Sequence, residues 1–245
     1  MPRQARIIEE GGIYHVFNRG VEKRKIFLKN QDYSRFVISL EIFNCEEPVD
    51  LWNFLIQYRK DKNIKQLLAK KLKEQRAKKL PPIVEVLSFC LMPNHFHIVA
   101  REIVEGGISK FMQKIGGYCV YFNKQYNRVG SLFQSRFKSI KITSDQQLQA
   151  IFNYVHTNPV ELIEPEWKKF RVEDIKKAID FLDNYKWSSY LDYIGKSTHP
   201  YVIKKEFFRD CIGNQKKCKD FVEAWVKSRA KKIVDKDEIK SILLD

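Results

Sequence analysis

The sequence has little of what would mark a secreted, membrane-embedded or repetitive protein. Its cysteines number only five (Cys45, Cys90, Cys119, Cys211, Cys218), an odd and widely spaced set without a CxxC pair. Neither a disulfide framework nor a zinc ribbon fits that pattern. No stretch approaches the ~18–20 apolar residues of a membrane span, and Met1–Gly12 (MPRQARIIEEGG) lacks the apolar core of a secretory signal. Internal repeats and low-complexity linkers are missing as well. These absences point to a soluble, cytoplasmic protein with no membrane partner. The 245 residues are 44% hydrophobic and 13% aromatic, enough for a sizeable core and too much for a disordered or collagen-like chain. That length suits one elaborated domain, or one domain with an appendage.

Negative charge is the scarcer sign. Against 45 Lys+Arg stand 30 Asp+Glu, a formal net charge of +15. Such an excess favours an anionic partner, because basic side chains that neutralise phosphates release condensed counterions. The charge is concentrated: Arg59–Lys79 holds ten basic residues against Asp61 and Glu74, which is +8 of the total. Charge alone leaves nucleic acid, an acidic membrane surface and an acidic protein open, and a Lys-rich run can also be a merely solvated helix.

Patterning organises the rest. Ile13–Asn18 reads as a strand ending at the Arg19-Gly20 turn. Asp32–Phe43 places Phe36, Leu40 and Phe43 at helical spacing, with Asp32 as N-cap. The basic stretch Leu51–Leu80 is helix-like and stops at Pro81-Pro82, so it reads as a surface insertion. Ile83–Met92 and His95–Ala100 form strands of a hairpin around Pro93-Asn94. One helix is expected over Gly107–Gln125, with Ile108, Met112, Ile115, Cys119 and Phe122 on its apolar face. Arg136–Ile142 alternates basic and apolar residues like a half-buried strand. Ser144–Asn158 is the clearest helix, opened by Ser144 and Gln147 spaced as a capping box and closed by Pro159. Helical segments follow at Ala178–Tyr193, Glu206–Arg209 and Cys218–Lys232. The order strand, helix, strand, strand, helix, strand is the ferredoxin-like split βαβ plan of the α+β class, an antiparallel sheet with helices on one face. Its other face is left for a ligand or a further helix. The domain is expected to span 1–195, with a basic helical extension over 196–245.

His95 and His97 sit at i and i+2 of a strand, so both imidazoles project from one face while Phe96 enters the other. Two neutral imidazoles side by side make a divalent-metal site lacking a third ligand, or simply a hydrogen-bonded pair. His15 stands alone on its strand, and His199 lies in a loop. Tyr154 and Asn158 are four apart and share one helical face. A tyrosine hydroxyl can act as a covalent nucleophile, and an asparagine carbonyl oxygen suits Mg²⁺ or Mn²⁺. Tyr154 can equally be a core aromatic, with Tyr118 and Tyr121 its nearest rivals. His156 falls on a different helical face from Tyr154, outside the site. If the Ser144–Asn158 helix crosses the open sheet face, Tyr154, Asn158, His95 and His97 converge.

These residues resemble the single-tyrosine HUH transposases, most closely their REP-associated branch. The resemblance rests on GGIYHVFNRG (Gly11–Gly20), CLMPNHFHIVA (Cys90–Ala100), GSLFQSRFKS (Gly130–Ser139) and NYVHTNPV (Asn153–Val160), with a weaker echo in YKWSSYLDYIG (Tyr185–Gly195). It implies a transposase that cleaves hairpin-flanked single-stranded DNA through a 5′-phosphotyrosine link, with nucleoid-associated localisation. Tyr154 would be the nucleophile, and His95, His97 and Asn158 would hold Mg²⁺ or Mn²⁺. By the same resemblance Arg3 and Arg6 belong to an arm that reads a guide sequence. Arg19, Lys23, Arg24, Arg128, Phe133, Arg136 and Lys138 are candidates for a basic, aromatic-interleaved DNA groove. A monomer is favoured over a tyrosine-exchanging dimer. The competing classes are a replication-initiator or relaxase nickase, a non-cleaving hairpin-binding module and a metal hydrolase. A nickase is disfavoured because no helicase region is expected and only one tyrosine has the right helical partner. A purely binding module has no need to retain all four residues, and a hydrolase does not need Tyr154.

Overall fold

The computed structural model describes residues 8–49, 81–167 and 172–230. The expectations for the Leu51–Leu80 insertion, Arg3 and Arg6 lie outside them. Four strands form one sheet: β1 (Ile13–Arg19), β2 (Val84–Met92), β3 (His95–Glu102) and β4 (Lys138–Ile142). Their order across the sheet is β2-β3-β1-β4 with every pairing antiparallel, the ferredoxin-like arrangement expected from the element order. Helices α1 (Asn30–Ile42), α2 (Gly107–Gly116) and α3 (Tyr118–Gln125) occupy one face, where the Phe36 ring lies 5.0 Å from that of Phe96. Helix α4 (Asp145–Thr157) crosses the other, packing on β2 and β3.

The structure corrects three sequence expectations. The helix expected over Gly107–Gln125 is two helices, broken at Gly116-Gly117, where paired glycines make an uninterrupted helix costly. Asp32 is not the N-cap of α1; Lys29 is, and Asp32 sits at the third helical position. From there its buried carboxylate accepts hydrogen bonds from the Leu28 and Lys29 backbone N–H groups, 2.8 and 2.9 Å away. The segment over 178–193 likewise divides, into α5 (Ile175–Leu182) and the single turn α6 (Tyr190–Tyr193).

The open edge of β2 is a hazard that the chain covers with its own downstream segment. Leu91 N–H donates to the Trp187 carbonyl and Ser189 N–H to that of Phe89. Tyr185 and Tyr193 hydroxyls donate to the carbonyls of Leu91 and Leu87, each at 2.6 Å. The YKWSSYLDYIG motif therefore acts as a strap along the sheet edge. Beyond it, α7 (Lys205–Ile212) and α8 (Gln215–Ala230) pack over α4, with the Phe208 ring 4.7 Å from Phe152. Among the described residues no helix is long and apolar enough to cross a membrane.

His156 belongs to this packing. It is fully buried, bonds through Nε2 to Ser189 Oγ at 2.8 Å, and meets the Phe152 ring edge-on at 4.3 Å. Burial pushes its pKa down to about 3, so the native imidazole stays neutral. The unfolded chain takes up a proton near pH 6.5 while the native state resists until about pH 3, so stability drains as pH falls through that window. The expected loss from this one group is about 2 kcal/mol between pH 7 and pH 5. His156→Gln, which keeps a donor for Ser189, should flatten that slope in urea-unfolding series at several pH values.

Candidate active site

The site is built from two local patterns and one long-range pairing. On β3, strand alternation sends His95 and His97 to the α4 face; they are 5% and 0% exposed. On α4, Ser144 caps the N-terminus by accepting from the Gln147 N–H at 3.2 Å. The Gln147 carboxamide accepts from Thr143 N–H instead of the cap residue's own, so the expected box is opened by one position. The helix ends with Asn158 as C-cap, where the 3-10 turn Asn158–Leu162 begins with Pro159 in its first positions, which leaves Tyr154 and Asn158 one helical turn apart over the histidines. The Tyr154 ring stands edge-on to His97 with centroids 5.2 Å apart.

Asn158 joins the two imidazoles. Its Oδ1 lies 3.3 Å from His95 Nε2, and its Nδ2 lies 3.4 Å from His97 Nε2. On the far side of the His95 ring, Nδ1 is 2.6 Å from Asn94 Oδ1. The orientation of the Asn94 amide is set by Nδ2, which donates to the Lys23 carbonyl. Asn94 Oδ1 can only accept, so His95 Nδ1 carries the proton and its Nε2 lone pair points at Asn158 Oδ1, another lone-pair carrier. Two acceptors facing each other at 3.3 Å gain from a cation between them. That spacing is close to the ~3 Å between two ligands at right angles about an ion with ~2.1 Å bonds. Among the described residues no group of three or more His, Cys, Asp or Glu side chains could hold a metal ion. A cation at this place would therefore rely on the amide oxygen as its third protein donor, a set suited to a hard divalent ion.

The Pro93-Asn94 turn is itself clamped. Gly20 N–H donates to the Asn94 carbonyl at 2.8 Å, and Ile26 N–H to that of Pro93 at 2.7 Å. A Cβ on Gly20 would meet the Arg24 carbonyl oxygen at 2.2 Å, so the glycine of the FNRG motif permits the close approach that holds the turn.

The remaining sequence candidates divide. Arg19 pairs with His95 and Lys138 with Phe17 across β1, which puts both basic residues on the histidine face. Arg24 is turned inward on its own loop, donating to Glu22 and to the Val21 carbonyl; Lys23 is exposed beside it. Arg128 bonds to Asn123 and lies near the Phe122 ring. Phe133 and Arg136 stand away from the histidines and line a cavity of about 490 Å³ with Phe96, Met112 and Phe137, on the α1–α3 side of the sheet. The rival tyrosines also lie on that side. The Tyr118 hydroxyl donates to the Ile26 carbonyl at 2.6 Å, and Tyr121 to Asp32 at 2.9 Å. Burial raises the pKa of both, the opposite of what a nucleophile needs. One site neighbour escaped the sequence reading. His15, fully buried on β1, places Nε2 2.9 Å from His97 Nδ1. Only the β1–β3 register brings the two together.

Fold and site together describe a ferredoxin-like sheet carrying a histidine pair beneath a tyrosine-bearing helix. Residues 52–158, ending at Asn158, match the family model of the IS200-like transposases. Among solved structures, the chain is similar to a REP-associated tyrosine transposase bound to a REP hairpin, at 15% identity and a TM-score of 0.47, covering 82% of this chain and 90% of that one. No curated protein matches the chain.

Proposed function

We propose that this protein is a metal-dependent, single-stranded DNA endonuclease and strand transferase that cuts beside hairpins through a 5′-phosphotyrosine intermediate. The observation that carries the reading is the placement of Tyr154 over His97, with the Asn158 carboxamide spanning both histidine Nε2 atoms. A divalent cation held by His95, His97 and Asn158, Mg²⁺ or Mn²⁺, would supply Lewis-acid polarisation of the scissile phosphate. Tyr154 Oη attacks phosphorus in line, the bond to the 3′ oxygen breaks, and the phenolic proton ends on the released 3′-hydroxyl. The phosphotyrosine ester conserves the energy of the cleaved bond, so a second 3′-hydroxyl can reverse the step at a new junction. Arg19 and Lys138 share the histidine face, on the next strand and the one beyond it, and are suited to positioning phosphates of the adjoining DNA. Tyr154 reaches the histidines of its own chain, which supports action as a monomer. We take the catalytic domain as 1–195 and the helices after it as an extension that braces α4.

The test uses a hairpin oligonucleotide from the flanks of the gene, with Mn²⁺, labelled in parallel at its 3′ or 5′ end. A denaturing protein gel should show label on the protein from the 3′-labelled strand alone. Label carried over from the 5′ end instead would overturn the polarity. Tight hairpin binding with no adduct from either strand would favour a non-cleaving hairpin-binding protein.

A further inference from the structure

We infer that His15 is a positioning residue for the proposed metal site: it accepts a hydrogen bond from His97 and so holds that imidazole with its Nε2 lone pair toward Asn158. The inference rests on the proposed function for its purpose, but the contact itself stands on geometry. His15 Nε2 and His97 Nδ1 are 2.9 Å apart, both side chains are fully buried, and their rings stack with centroids 5.1 Å apart. A buried pair of imidazole nitrogens at that distance must share one proton, so one ring donates and the other accepts. The proposed ligand role decides which: a His97 Nε2 that binds a cation must carry a lone pair, as it must to accept from the Asn158 Nδ2 that lies 3.4 Å away, so the His97 proton sits on Nδ1. His15 Nε2 is then the acceptor.

The same arrangement recurs at the neighbouring histidine, where Asn94 Oδ1 accepts from His95 Nδ1. Both imidazoles are thereby held in one tautomer, from two different elements: the hairpin turn for His95 and β1 for His97. Outer partners of this kind orient ligating histidines and raise their basicity, and losing one typically costs 10–100-fold in metal affinity. Neighbouring rings restrict the geometry further. Phe17 lies 4.8 Å from His15, and the Tyr154 ring meets His15 edge-on at 6.0 Å. The ring cluster His15–His97–Tyr154 thus joins strand β1 to the residue proposed to attack DNA.

The experiment reads the tautomer directly in the full chain. Long-range ¹H–¹⁵N correlation spectra of the metal-free, ¹⁵N-labelled protein at slightly alkaline pH should show His97 with a protonated Nδ1 and a bare Nε2. His15→Gln, whose Oε1 can accept in place of the imidazole, should keep that pattern and bind Mn²⁺ within about threefold of wild type. His15→Phe should move the His97 proton toward Nε2 and weaken Mn²⁺ binding about 10–100-fold by EPR titration. A wild-type spectrum with the proton on Nε2 would overturn the inference whether or not the phenylalanine variant folds. So would a folded His15→Phe protein with unchanged tautomer and Mn²⁺ affinity. If wild type shows the Nδ1–H form, His15→Phe changes it, and neither binds Mn²⁺, then His15 orients His97 and it is the metal-dependent reading that fails.

Discussion

Tyr154→Phe is expected to abolish the protein-borne DNA label while leaving hairpin affinity and Mn²⁺ binding within about threefold of wild type. The reasoning is atomic. The phenolic oxygen is the atom that forms the new bond to phosphorus, so no neighbouring group can partly substitute for it, and the loss is to background instead of a graded decline. Phenylalanine keeps the ring that packs edge-on against His97 and His15, so the site's walls are preserved. Tyr118→Phe and Tyr121→Phe are the matched controls. Both hydroxyls are committed to acceptors on the far side of the sheet, and both variants should still form the adduct. Label retained on Tyr154→Phe would move the nucleophile elsewhere and remove the main support for the proposed chemistry.

The largest stability effect outside the core aromatics is expected at Asp32. Its carboxylate is fully buried and accepts four hydrogen bonds, from the Leu28 and Lys29 backbone and from the Tyr121 and Tyr126 hydroxyls. Burial, reinforced by that carboxylate, pushes the Tyr126 pKa up to about 12 and raises that of Tyr121. Asp32→Ala strands these donors in a space that water does not readily fill. The cost should be on the order of 3–5 kcal/mol, or a fall in Tm on the order of 10 °C. Asp32→Asn should cost only about 1–2 kcal/mol. Its oxygen can still serve the two backbone N–H groups, while a tyrosine hydroxyl turns to accept from the new amide. Equal losses in the two variants, measured by thermal or urea unfolding, would show that shape and not acceptor capacity is what α1 requires.

Asp32 also illustrates why the sequence reading misplaced a cap. An acidic residue just ahead of an apolar helical pattern satisfies both the N-cap and the third-position description, because either can bond the same first-turn N–H groups. The choice rests on the backbone at Lys29, which is extended and begins the helix three residues earlier. The break at Gly117 is similar: helical periodicity continues through Ile108, Met112, Ile115 and Phe122, so the apolar pattern alone does not register it.

What the sequence by itself determined was everything governed by short-range periodicity. Alternation along His95–Phe96–His97 sets both imidazoles on one face, and the four-residue step from Tyr154 to Asn158 sets those two on one helical face. The order of strands and helices was enough for the ferredoxin-like plan, and the motifs were enough for the family resemblance. Tertiary structure decided what depends on register and on which surface meets which. It joined His15 to His97 across β1 and β3, residues 82 positions apart that no local period connects. It carried Phe133 and Arg136 into a cavity on the α1–α3 side of the sheet while keeping Arg19 and Lys138 on the histidine face. It also turned the YKWSSYLDYIG echo into a strap for the β2 edge. The physical reason is the same throughout: spacing along the chain fixes the direction of a side chain relative to its own element, whereas its partner is chosen by the pairing and packing of distant elements.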